Sequence, residues 1–352
     1  MRVGVLTGGG DCPGLNAVIR AVTKSLIAHA RADVVGIEQG FLGLIERRSR
    51  PLRWDDVCGI LGHGGTILGT HNRANPFAYF GADGADVSAA ALAYARELGL
   101  DALVVIGGDG SMAIAERFAR LGLPVVGVPK TIDNDLHHND RSFGFDTAVA
   151  TVTDALGRLE TTGQSHGRVM ILETMGRYAG WIALEAGMAG AADVILLPEL
   201  PYSVASVAAV CREREQRRRL TLICIAEGAA PAGESMTVAE RIAASPDPVR
   251  LGGVAHVLRG QLQPQVNSEV RATVLGHLQR GGSPTPFDRV LATQFGTEAA
   301  MMIRRGEFNR MVALQGGKLC SVALADVAGR NRTVPLDHAL LACARQIGVC
   351  LG

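Results

Sequence analysis

The chain has 352 residues, 47% hydrophobic but only 4% aromatic, with a formal net charge of +1. Aliphatic side chains must therefore fill a core large enough for two lobes, and the near-zero charge excludes a general field favouring nucleic acid or a membrane surface. Seven cysteines fall without C-x-x-C spacing, which argues against a disulfide framework or structural zinc and fits a reducing cytoplasm.

The first apolar run, 3–6, leads straight into Gly8-Gly9-Gly10-Asp11-Cys12-Pro13-Gly14 and does not read as a signal peptide. Asn16 is placed to cap a helix over 17–30, whose apolar residues recur at helical spacing. A second strand at 34–37 breaks at Gly40. A helix over 87–98, a buried strand over 102–106, a helix over 112–121 and a strand over 125–128 follow. This alternation predicts a parallel sheet with helices on both faces. It restarts with a helix at 147–160, a strand at 169–173, a helix at 181–188, a strand at 194–197, a helix at 203–219 and a strand at 220–226. That second set predicts another α/β lobe. Residues 178–200 come nearest to a membrane span, but Glu185 and Asp193 interrupt them, so a buried helix and strand are expected. Residues 227–247 read as loop with one short helix. The charge run at 212–219 reads as a solvated helix end with cations at its C-terminus, or as a contact for a phosphate effector.

Three motifs carry chemistry. The Gly8–Gly14 loop lies between a strand and a helix, where backbone N–H groups can face a phosphate, although the same glycines suit a plain tight turn. Gly107-Gly108-Asp109-Gly110-Ser111 follows a buried strand, at the edge where open α/β sheets bind ligands. Asp109 there is either a turn cap or a group that meets metal and phosphate. Thr131, Asp133 and Asp135 alternate, so on an extended segment they share one side. One carboxylate could take a hydroxyl proton while another organises Mg²⁺; mutual capping in a polar loop is the alternative. With Asp140, these residues point to phosphoryl transfer. In the second lobe, Met175-Gly176-Arg177, Glu227, His277 and Arg280 fall at strand–loop junctions, and Arg168 and Arg271 lie near strand starts. Cations there suit a sugar phosphate and Glu227 suits its hydroxyls.

The chain resembles the phosphofructokinase family along nearly its whole length. The resemblance rests on Leu6-Thr7-Gly8-Gly9-Gly10-Asp11-Cys12-Pro13-Gly14, Gly64-Gly65-Thr66, Ile106-Gly107-Gly108-Asp109-Gly110-Ser111, Lys130-Thr131-Ile132-Asp133-Asn134-Asp135, Glu173-Thr174-Met175-Gly176-Arg177-Tyr178 and Arg271 through Pro284. It implies two Rossmann-like parallel-sheet lobes with the active site in the cleft between them. A donor lobe would comprise 1–144 with about 279–329, and a sugar-phosphate lobe 145–278 with about 330–352. The implied reaction phosphorylates the 1-hydroxyl of fructose 6-phosphate. Matched by position, Asp133 would be the base, Asp109 would hold Mg²⁺ and Asp135 would support it. Thr131, Gly10 and Arg177 would meet the transferring group. Gly108, Gly110, Ser111, Lys130 and Arg73 would line the donor. Met175, Gly176, Glu227, His277 and Arg280 would bind the sugar phosphate. Arg168 and Arg271 would reach it from a neighbouring subunit, implying a homodimer or homotetramer.

Two donor markers disagree. Gly110 leaves room for the α-phosphate of ATP, whereas Lys130 is the residue carried by pyrophosphate users; members with this Gly-plus-Lys pair include ATP users, so ATP is the expected donor and pyrophosphate the alternative. Sedoheptulose 7-phosphate is an alternative acceptor. Arg73 comes one residue later after Leu-Gly than the family pattern has it, and Phe41 stands where an adenine-stacking Tyr is common. Of the effector-site positions, Arg20, Lys24 and Asp193 keep suitable chemistry while Glu160 reverses a charge, so weak or no allosteric control is expected. A dinucleotide oxidoreductase would need GxGxxG after the first strand, which is missing, although Glu38 closes the second. A non-catalytic sugar-phosphate sensor would be expected to lack one of the base, metal acid or arginine, and all three are present.

Overall fold

The computed structural model describes residues 1–241 and 249–352. Its strands, in chain order, are β1 (Arg2–Thr7), β2 (Asp33–Ile37), β3 (Ser49–Leu52), β4 (Ala102–Gly107), β5 (Val125–Pro129), β6 (Val169–Thr174), β7 (Val194–Leu196), β8 (Thr221–Ala226), β9 (Val238–Arg241), β10 (Val249–Leu251), β11 (Val270–Val274), β12 (Arg310–Gln315) and β13 (Lys318–Ala323). Seven form one sheet in the order β13-β12-β5-β4-β1-β2-β3, and four form a second in the order β11-β6-β8-β7. The second sheet is wholly parallel. The first is parallel at its centre and closed on each side by an antiparallel strand, β3 and β13. β9 and β10 make a separate antiparallel ribbon.

The two faces of the central strands explain their unbroken apolar sequence. Val3, Val5, Val104, Ile106, Val126 and Val128 belong to one buried cluster, whereas Leu6, Leu103, Val105 and Val125 belong to another on the opposite face. A strand covered by helices on both sides has no solvent face to mark with polar residues. The first cluster runs on through the helix Phe145–His166 to Leu172, Leu222 and Cys224 of the second sheet, so apolar packing is continuous between the two sheets.

Strand register fixes where the loops emerge. Thr7 pairs with Ile106 and Gly107 with Pro129. The carboxyl ends of β1, β4 and β5 therefore lie side by side, and the loops after them leave the same edge. In the second sheet Glu173 pairs with Val274, and Thr174 with Ala226. Residues 175–177, 227 and 276–280 converge for the same reason.

Several expectations shift. Asn16 does not cap the first helix, which runs Leu15–Ala30 after a Gly14 with φ 109°, a left-handed conformation that favours glycine. Instead its side-chain amide donates to the carbonyls of His63 (3.1 Å) and Gly64 (3.3 Å), and its oxygen accepts from the Ile67 N–H (2.8 Å). It clamps the glycine loop at 63–67 to the helix. The helix expected over 112–121 starts earlier, at Asp109, so that acid lies in the first turn. Among the described residues of 227–247 there are turns and β9 but no helix; 242–248 lie outside the described residues. β3, β11, β12 and β13 lie outside the strands expected from periodicity, because each is short or carries polar residues in place of a clean apolar run.

Replacing Asn16, which is 1% exposed, with Ala removes all three of these hydrogen bonds. The expected cost is about 1–3 kcal/mol, seen as a lower urea midpoint at unchanged slope.

Candidate active site

The three loops of the large sheet are stitched together by backbone hydrogen bonds. Gly8 N–H donates to the Ile106 carbonyl (2.9 Å) and Lys130 N–H to that of Gly107 (2.9 Å). They enclose a cavity of about 490 Å³. Its polar part is lined by Gly9, Gly10, Gly108, Asp109, Gly110, Ser111, Lys130, Thr131, Asp133 and Asp135. It continues to Phe41, Ala74 and Ile114, with Asn75 and Arg117 beside them. A Cβ added at Gly110 would meet nothing within 4 Å, so the route between the two parts is open there.

Lys130 is 4% exposed and its Nζ donates to the Gly10 carbonyl. Burial lowers its pKa to about 8, with the nearby Arg280 charge acting the same way. Asp109 accepts from Gly329 N–H (2.8 Å), and its pKa is raised by partial burial. Ser111 is buried beneath the glycine loop.

Thr131, Asp133 and Asp135 all face this cavity, but through a bend rather than an extended segment. Asn134 between them has φ 52°. Thr131 Oγ1 donates to Asp135 Oδ1 (3.0 Å) and accepts from Asp133 N–H (3.0 Å). Asp133 Oδ1 is buried with no hydrogen-bond partner among the described residues. Burial raises the Asp133 pKa, opposed by the charges of Arg280, Lys130 and Arg177. Burial and the charge of Asp133 together push Asp135 up to about 7. Asp140 stands apart, accepting from Gly316 N–H (2.6 Å) in the turn between β12 and β13.

The second sheet supplies the facing wall. Glu227 N–H donates to the Thr174 carbonyl (2.9 Å) and Gly228 N–H to that of Gly176 (3.2 Å). A Cβ on Gly228 would fall 1.9 Å from the Arg177 carbonyl oxygen, so this position holds Met175, Gly176 and Arg177 against Glu227 only as glycine. Met175 N–H donates to the fully buried Gln279 side chain (3.2 Å). Arg280 Nη1 reaches across to the Asp11 carbonyl (3.2 Å) and lies against Gly10. Burial and the charge of Asp133 push Glu227 up to about 7, with Arg177 and Arg280 opposing. His277, in the same turn as Arg280, is exposed.

Other expected residues lie elsewhere. Arg73 lines a neighbouring cavity of about 330 Å³ with Asp11 and Thr70, its guanidinium 4.8 Å from the Phe80 ring centre; His71 and Asn72 line the main cavity. Arg168 and Arg271 stand at the amino ends of β6 and β11, the edge opposite Arg177, and both ion-pair with Glu269. Asp193 is engaged by Arg214 (2.8 Å) and the Leu222 N–H (2.8 Å), and Glu160 is among the charges acting on it. The sequence reading missed Asn75 and Arg117 at the apolar end of the cavity, Gln279 beneath Met175, and Arg332 behind the Asp133 loop. Arg117 lies on the exposed side of its helix near Glu116 and Arg120, and Arg332 lies in a segment with no motif, so neither carries a local signal.

Among the described residues, no three His, Cys, Asp or Glu side chains cluster as a metal cage. Magnesium does not require one: it is commonly held by one or two carboxylates together with water and substrate phosphates. Asp109 and Asp135, beside the unpartnered Asp133 oxygen, meet that requirement.

The family model described as Phosphofructokinase matches residues 2–303. The chain is 49% identical over 360 residues to an ATP-dependent 6-phosphofructokinase of Chloroflexus aurantiacus, covering 100% of this chain and 98% of that protein. It is equally 49% identical, over 340 residues, to a pyrophosphate–fructose 6-phosphate 1-phosphotransferase of Amycolatopsis methanolica, covering 96% of this chain and 97% of that protein. Among solved structures, the T-state phosphofructokinase of Pichia pastoris superposes with a TM-score of 0.79 at 31% identity. That match covers 93% of this chain, which spans 35% of the longer Pichia chain.

Proposed function

This chain belongs to the phosphofructokinase family, and we infer that it is a 6-phosphofructokinase of glycolysis, transferring the γ-phosphoryl group of ATP to the 1-hydroxyl of fructose 6-phosphate. The observation that carries ATP is the cavity itself. It runs past Gly110 to an apolar end at Phe41, Ala74 and Ile114, which pyrophosphate has no atoms to fill.

In this reading the donor lobe comprises 1–144 with about 279–329, and the sugar lobe 145–278 with about 330–352. The triphosphate lies along Gly10, Gly108, Gly110, Ser111 and Lys130. The sugar phosphate lies against Met175, Gly176, Glu227, His277 and Arg280. Asp133 accepts the proton of the 1-hydroxyl as its oxygen bonds to the γ-phosphorus, and the bond to the bridging oxygen breaks to release ADP. The unpartnered Asp133 Oδ1 supports that role, since it has an acceptor site to spare. Thr131 holds the loop, while Arg177 and Lys130 offset charge on the transferring group. Asp109 would hold Mg²⁺ with support from Asp135; the ion, when bound, neutralises phosphate charge. Arg73, in its neighbouring cavity, is at most an outer contact for the donor.

Arg168 and Arg271 lie about one strand length, roughly 20 Å, from their own chain's Arg177. They complete the site of a neighbouring copy, so the working enzyme is at least a homodimer. Asp193, already engaged by Arg214, leaves little for a nucleotide effector, in keeping with weak or no regulation. Among the described residues no helix is long and apolar enough to cross a membrane; with seven free cysteines this fits a cytoplasmic enzyme.

A coupled assay crossing ATP and pyrophosphate with fructose 6-phosphate and sedoheptulose 7-phosphate tests the reading. Turnover is expected with ATP and fructose 6-phosphate; turnover with pyrophosphate alone would overturn the donor. Asp133→Ser should lower kcat by about 10²-fold or more. A change confined to KM would remove Asp133 as the base.

The pH profile has a definite sign. Asp133 must be ionised to act, and burial raises its pKa, so kcat/KM should fall as pH drops through a range above that of ordinary carboxylates. Lys130 loses its charge above about 8, so kcat/KM should fall again there. Lys130→Met should remove the alkaline limb; its persistence would assign that limb to another group.

A further inference from the structure

Arg332 lies behind the cavity rather than in it, and it anchors almost every turn of the loop that carries Asp133 and Asp135. Its Nη1 donates to the carbonyls of Asn134 (3.2 Å), Asn139 (3.2 Å) and Asp140 (2.9 Å). Its own N–H donates to the Asp135 carbonyl (2.7 Å). The loop needs such an anchor. Its Asn134 is left-handed at φ 52°, and its pairing with other segments is limited to isolated bridges of Leu136 with Asn331 and Lys130 with Phe143. A guanidinium suits this task because it keeps its charge and presents several donors in a rigid plane.

Arg332 is itself held from the other side of the cleft. Its carbonyl accepts from Trp181 Nε1 (3.2 Å), and its guanidinium lies 4.3 Å from the centre of the Trp181 ring. Trp181 is 2% exposed and opens the helix Trp181–Ala189, a few residues after Arg177. One side chain thus joins the Asp133 loop to the wall that carries Arg177.

We propose that Arg332 is a positioning residue for phosphoryl transfer, fixing the Asp133–Asp135 loop against the Arg177 wall without touching either substrate. This rests on the reading of Asp133 as base. A displacement of the base by about 1 Å is enough to cost roughly 10²-fold in rate while leaving ground-state contacts in place. Arg332→Met should therefore lower kcat by about 10²-fold, with KM for ATP and fructose 6-phosphate changed less than about threefold. Arg332→Lys, which keeps a charged donor, should recover about tenfold of that loss. Trp181→Phe removes the hydrogen bond to the Arg332 carbonyl while keeping an aromatic ring beside the guanidinium, and should lower kcat severalfold; with Arg332→Lys it decides the matter if the Met variant does not fold.

Wild-type kcat in every folded variant would overturn the proposal, as would a loss appearing equally in KM. An active Asp133→Ser enzyme would instead overturn the base assignment, and that result is obtained on a protein whose Arg332 is intact.

Discussion

The parallel pairing of β5, β4 and β1 is the constraint on which the site depends. Parallel strands must all run the same way, so the loop after each leaves from the same edge. Register then sets which residues meet: with Gly107 opposite Pro129 and Ile106 opposite Thr7, Gly8, Gly108 and Lys130 become neighbours without any contact of their own chemistry. The second sheet repeats this with β6, β8 and β11. Two such edges face each other, and Arg280 crosses between them to the Asp11 carbonyl.

Chemistry follows from what those edges bury. Asp133, Asp135 and Glu227 are acids with restricted access to water, and the charge of Asp133 raises the pKa of the other two. Burial raises the pKa of Asp133 and pushes Asp135 and Glu227 up to about 7. Lys130, Arg177 and Arg280 oppose this, and the balance leaves groups whose protonation changes within the working range of an enzyme. The same burial that lowers the Lys130 pKa to about 8 limits the water that competes for its charge.

The sequence made the centre of each sheet legible because strands buried on both faces read as plain apolar runs, as in 102–106 and 221–226. The glycine loops and acids at their ends were legible for the same reason: strand ends announce where loops begin. Local rules failed where a side chain serves a distant partner. Asn16 looked like a helix cap by position, yet it binds residues 63–67. Thr131, Asp133 and Asp135 looked like one face of an extended segment, but Asn134 bends the chain and Thr131 caps the bend. Nothing in the sequence around Arg332 marks it, because its partners lie near residue 135 and at Trp181, far away along the chain. Arg168 and Arg271, read from the sequence as lying near strand starts, stand at the amino edge of the second sheet because β6 and β11 run parallel.

The late arrival of β12 has a consequence for biosynthesis. β5 borders β4 on one side and β12 on the other, and β12 is supplied by residues 310–315, after the whole second sheet has been made. While the chain emerges from the ribosome, the outer edge of β5 has no native partner until residue 310 has been translated. An apolar strand with open hydrogen-bonding groups is a template for wrong pairing. The interleaved order of the chain therefore leaves this edge of the large sheet open until residue 310 has been made, and a ribosome stalled before that point would release a product with an apolar edge uncovered.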